Sequence, residues 1–223
     1  MTHWSFNNGG DKLKITDVLS GGYSGLTSLY GGFYGCSNLR FVANDSAWTK
    51  DVTDMSHMFY RCYVFNSDIS AWDVSSVEDM NRMFLYCSAF SSDISAWDVS
   101  SVEDMNYMFY RCSVFNSDIS AWDVSSVKDM NYMFYSCSAF NSDISSWNVS
   151  SVTNMTNMFA GANAFSTANY DLLLNAWSSL TLKPRVSFHA GDAKYTIETS
   201  QSAHDTLTTP PNSWSITDGG GIE

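Results

Sequence analysis

From residue 58 to residue 159 the hydrophobic positions recur every 25 residues. A Met-Phe pair stands at Met58-Phe59, Met83-Phe84, Met108-Phe109, Met133-Phe134 and Met158-Phe159. Within one unit the apolar residues are Phe84, Cys87, Phe90, Ile94, Trp97, Val99, Val102, Met105 and Met108. No long run of them follows a 3.6-residue period, so the unit does not read as an amphipathic helix. The stretch Ser95 to Ser100 alternates polar and apolar. It predicts a short strand with Trp97 and Val99 inward and Asp98 outward. From Val102 to Phe109 apolar residues fall three apart and then adjacent, which predicts a helical or 3-10 turn. One such coil cannot bury its own hydrophobic side, whereas a near copy stacked on it can. The stretch 109–133 differs from 59–83 only at Ser113, Lys128 and Tyr132. Equivalent side chains therefore form inward ladders: Trp72, Trp97, Trp122 and Trp147; Cys62, Cys87, Cys112 and Cys137; Met83 and Met108 among the methionines.

One short parallel strand and one helical or 3-10 turn per coil is an α/β solenoid of the leucine-rich-repeat, horseshoe kind. Residues 1–58 read as an N-terminal cap with an irregular first repeat. Residues 59–158 read as four regular repeats, and 159–223 as a final partial repeat and C-terminal cap. Atypical sequence is expected where a stack must close. Gly9-Gly10, Gly21-Gly22, Gly25, Gly31-Gly32 and Gly35 suggest tight turns in the first cap. In the tail the pattern predicts a short helix over 169–177, strands over 185–189, 194–198 and 214–217, and a helical turn over 203–207.

The unit resembles the BspA-like leucine-rich repeat surface proteins, specifically their 25-residue, mycoplasma-type subfamily, DUF285. The stretch Phe115-Asn116-Ser117-Asp118-Ile119-Ser120-Ala121-Trp122-Asp123-Val124-Ser125-Ser126-Val127 matches that repeat. So does Met130-Asn131-Tyr132-Met133-Phe134-Tyr135-Ser136-Cys137. The resemblance implies a secreted or surface-attached protein with a binding or adhesion role and no catalytic residues. Departures lie at the ends: Trp48 falls out of register, and Phe33 to Phe59 is one residue too long.

Composition narrows the chemistry. The 223-residue chain carries 11 basic and 23 acidic residues, for a formal charge of −12. Nucleic acid is an unsuitable partner, since its phosphates need clustered Lys or Arg. No apolar run is long enough to insert in a membrane. Met1-Thr2-His3-Trp4 has neither a basic region nor an apolar core. If the protein is exported to the cell surface or medium, its signal or an upstream domain lies outside this chain. The five cysteines share one inward position, which suits buried free thiols better than bridges or zinc. His3, His57, His189 and His204 are scattered and no catalytic motif appears, so the chain reads as non-enzymatic.

Two exposed features are candidate sites. The column Asp73, Asp98, Asp123 and Asn148 should line the strand face. It either binds a ligand's hydroxyls or a cation such as Ca²⁺, or is satisfied by neighbouring serines and water. No metal centre or other cofactor is otherwise implied. The second feature is a turn-side stripe of Tyr60, Arg61, Tyr107, Tyr110, Arg111, Tyr132 and Tyr135, near the positions that vary between units. Tyr and Arg are favoured contact residues. The expected function is an extracellular or cell-surface binding or adhesion module presenting a repetitive acidic solenoid surface to protein or glycan. The alternative is a structural spacer or self-assembling envelope component, for which self-association would serve.

Overall fold

Asp-x-Ser and Asp-x-Asn triplets dominate the middle of the chain, and they decide its local structure. An Asp side chain can accept the amide two residues on, and so competes with strand and helix for that hydrogen. In the computed structural model, which describes residues 3–19 and 25–223, this competition is won by the turns. Asp93 Oδ1 accepts the amide of Ser95 at 2.9 Å and Asp98 Oδ1 that of Ser100 at 3.1 Å, while the Trp97 amide goes to Ile94 O at 3.2 Å. The predicted strand over 95–100 is therefore absent, although Trp97 and Val99 are buried and Asp98 exposed.

The predicted helical turn over 102–109 is absent for a second reason. Every other amide leaves the unit: Met80, Arg82, Phe84 and Tyr86 donate to the carbonyls of Asp104, Asn106, Met108 and Tyr110. The amides between them, Met83, Leu85 and Cys87, donate three residues back. A 3-10 helix needs consecutive backward bonds. Here left-handed residues at Arg82 (φ 55°) and Tyr86 (φ 64°) turn alternate amides outward. Isolated parallel bridges join Asp54, Asp79, Asp104, Asp129 and Asn154 in succession.

Regular elements lie only outside this middle. Strands β1 (Asp17–Val18) and β2 (Phe41–Val42) pair in parallel, with 3-10 turns at Lys12–Lys14 and Ser46–Trp48. Helix α1 (Thr167–Trp177) is capped by Ser166 and buries Tyr170, Leu173, Leu174 and Trp177, the stripe expected of a helix packed on one side. Strand β3 (Ser187–His189) follows, then β4 (Tyr195–Thr196), α2 (Ile197–Thr208), β5 (Ser215–Thr217) and β6 (Gly221–Ile222). β3 pairs β5 and β4 pairs β6, both in parallel. The strand expected over 194–198 gives way to α2 at Ile197, and the helical turn over 203–207 is part of that helix. Gly21-Gly22 lies outside the described residues.

This is a domain of two helices and three two-stranded sheets, not a leucine-rich-repeat-like solenoid of one strand and one helical turn per coil. A single hydrophobic core runs from Leu26 to Trp214. Both ends of the middle are closed. The amides of Phe6 and Asn8 donate to Gly32 O and Tyr34 O at one end. At the other, Met155 and Phe159 donate to Ser187 O and His189 O, so β3 covers the last turn.

Candidate functional site

The acidic column expected to face a ligand is bound to its own backbone. Asp73, Asp98 and Asn148 each accept both the amide and the hydroxyl of the serine two residues on, at 3.1 Å for the amide and 2.6–2.7 Å for the hydroxyl. Asp123 accepts the Ser125 amide at 3.0 Å, and the two Ser125 bonds hold its carboxyl below the usual range. These are turn-closing carboxylates. Among the described residues no three His, Cys, Asp or Glu side chains gather where they would hold a metal ion. The serines are also structural: Ser92, Ser117 and Ser142 donate to the carbonyls 25 residues earlier at 2.7–2.8 Å. With its carboxylates spent on turns and no strand face to carry them, a repetitive acidic solenoid surface for adhesion does not exist. The spacer and self-assembly alternative needed an open-ended solenoid and falls with it, because both ends are covered.

The inward ladders have polar roles as well. Each indole reaches back one unit: Trp72 Nε1 donates to Ala43 O, and Trp97, Trp122 and Trp147 donate to Ile69, Ile94 and Ile119 O, at 3.0–3.1 Å. Each thiol does likewise. Cys62, Cys87, Cys112 and Cys137 donate to the carbonyls of Phe33, Phe59, Phe84 and Phe109 at 2.8–3.1 Å. Met83 and Met108 are fully buried between them.

The turn-side stripe is a different kind of surface. Its residues occupy two left-handed columns. The first is Gly31, His57, Arg82, Tyr107, Tyr132 and Asn157; the second is Gly35, Arg61, Tyr86, Arg111, Ser136 and Gly161. Glycine adopts this conformation freely, while other L-residues pay about 1–2 kcal/mol. Glycine stands at the start of both columns and at the end of the second; the middle carries large side chains. These pack on one another: Tyr34 on Tyr60 at 4.5 Å, Tyr107 on Tyr132 at 4.6 Å, and Tyr110 on Tyr135 at 4.7 Å, all within 11° of parallel. Arg61 lies over Tyr60 at 5.1 Å, Arg82 over Tyr107 at 4.9 Å, and Arg111 over Tyr86 at 5.5 Å. Among the described residues no carboxylate comes within 4.0 Å of these three guanidiniums. Arg82 and Tyr86 belong to this face although the stripe drawn from sequence omitted them. Their register, 25 residues before Tyr107 and Arg111, was the available signal.

Ser136 allows a clean test of the left-handed geometry. It has φ 55°, and its hydroxyl makes no hydrogen bond. Ser136→Gly should stabilise the protein by about 1 kcal/mol, read as a raised urea midpoint at unchanged slope. An equal or lower midpoint would contradict the left-handed assignment.

The comparisons now have a structure to attach to. The profile of DUF285, described as "Mycoplasma protein of unknown function", matches residues 27–123 and 96–183, about 70% of the chain. The chain belongs to the DUF285 family. No curated protein and no solved structure matches it. No helix among the described residues of this DUF285 protein is long and apolar enough to cross a membrane.

Proposed function

We propose that this DUF285 protein is a non-catalytic recognition unit that meets a partner protein through its left-handed turn face. One observation carries the reading. Large Tyr, Arg and His side chains occupy the middle of columns in which Gly31, Gly35 and Gly161 show that glycine fits. Backbone strain kept in a cluster is a pointer to function, because stability alone favours its removal. Partly exposed Tyr and Arg are the residues that dominate protein contacts. We place this recognition outside the cell, in keeping with the surface proteins the repeat resembles. The five thiols suit that compartment: all are buried, and four are held to carbonyls, out of reach of oxidants.

Selection of displayed peptides on the intact chain tests the face. Selected ligands should bind the Tyr107→Gly, Tyr132→Gly double variant at least about tenfold more weakly, the scale of losing an aromatic contact. Glycine is compatible with both backbones, so the variant keeps its fold. Ligands indifferent to the substitution would place recognition elsewhere.

A further inference from the structure

We propose that the turn face reads an extended acidic segment of its partner, with carboxylates three residues apart; this rests on the recognition reading above. Charge is the first argument. Arg61, Arg82 and Arg111 have no carboxylate partner among the described residues, yet the chain as a whole is strongly acidic. Arg61 and Arg111 are exposed, and an unpaired guanidinium fork is built to take a carboxylate. The rings point the same way. Tyr107 and Tyr110 are stacked face to face with Tyr132 and Tyr135, and Tyr60 and Tyr86 carry guanidiniums on their faces. Ring faces that a sugar would stack against are thus covered. What remains for a partner is ring edges, which carry the positive part of the quadrupole, and phenol hydroxyls that donate hydrogen bonds. Both favour an anion.

Spacing supplies the register. Arg61 and Arg111 hold the same position two units apart, and adjacent units are hydrogen-bonded like neighbouring strands. At about 4.8 Å per unit the two guanidiniums stand about 10 Å apart. An extended peptide advances about 3.3 Å per residue, so three residues cover that distance. The residue between two such carboxylates would cross Tyr86, which lies between the arginines in the same column.

The test uses the intact chain and three fluorescent probes. One is a twelve-residue peptide of Thr and Val with Glu at every third position. The second has the same composition with its Glu residues adjacent, and the third has Lys in place of Glu. A heparin-type sulfated oligosaccharide competes as the other anionic class. The spaced Glu peptide should bind saturably, about tenfold more tightly than the clustered one, and more weakly as salt rises. Arg61→Gln with Arg111→Gln should cost it about tenfold or more, and Lys at both positions should restore part of the loss. Binding that ignores Glu spacing, survives the double Gln variant, or yields to the oligosaccharide at lower concentration than to the peptide overturns the acidic-segment reading. If that happens while selected peptides still depend on Tyr107 and Tyr132, only the acidic reading fails. If neither depends on the face, both fail.

Discussion

Raising the pH from 8 to above 10 is expected to unfold this protein. Cys62, Cys87, Cys112 and Cys137 have no exposed surface, and burial pushes each thiol well above its usual value of 9.0. Cys36 is pushed up to about 11. A thiol in the unfolded chain ionises near 9, while in the folded chain it keeps its proton. The folded state then binds more protons than the unfolded one, so stability is intact below pH 9 and falls as pH rises beyond it. Each fully protected thiol costs about 1.4 kcal/mol per pH unit, so the four together remove about 5 kcal/mol per unit. Typical domains hold only about 5–15 kcal/mol in total. Tyr170 adds to the slope above pH 10, since burial and its 2.6 Å hydrogen bond to Asp218 keep its phenol protonated in the fold. Urea melts at half-unit steps from pH 7.5 to 10.5 read the slope directly. Cys87→Ala with Cys112→Ala should roughly halve it, whatever the variant loses at neutral pH. A flat profile to pH 10.5 would mean that these thiols are not buried in the native protein.

Burial was legible in the sequence, and backbone conformation was not. The 25-residue period and its inward Trp, Cys, Phe and Met positions depend only on which side chains can leave water. The α1 segment was readable for the same reason, from Tyr170, Leu173, Leu174 and Trp177 on one face. The strand over 95–100 failed because alternation reports burial and not hydrogen bonding. Trp97 and Val99 do point inward, but the Asp93 and Asp98 side chains capture the amides that a ladder would need. A local competitor inside the strand pattern, one Asp-x-Ser per bend, was the missed warning. The helical turn failed on left-handed residues, which Arg and Tyr do not announce. Gly161 did announce one of the two columns: it stands 25 residues after Ser136 and 50 after Arg111, and glycine in a column of bulky residues signals a positive φ. The Asp73, Asp98 and Asp123 column looked like a site because like charges stacked this closely repel. Its cost is met by the serine bonds, which no spacing argument weighs against a ligand.

Replacing Trp97 by alanine is expected to cost about 3–5 kcal/mol, the range for a large aromatic lost from a core. The side chain is 3% exposed, packs 6.3 Å from the Phe84 ring, and donates through Nε1 to Ile69 O. Its removal leaves a cavity between two turns whose own tryptophans are fixed by backbone bonds and cannot move in to fill it. Trp72 is held to Ala43 O and Trp122 to Ile94 O. Trp97→Phe separates packing from hydrogen bonding. Phenylalanine restores most of the volume but not the donor. Ile69 O keeps a second partner, the Trp72 amide at 3.2 Å, so the carbonyl is not orphaned. The Phe variant should therefore lose only about 1–2 kcal/mol, a net hydrogen bond plus a small void. Chemical denaturation followed by far-ultraviolet dichroism measures both. Should the two variants lose the same amount, the indole's bond to Ile69, and not its volume, would be what joins one turn to the next. If neither variant shifts the midpoint, Trp97 is not in the core.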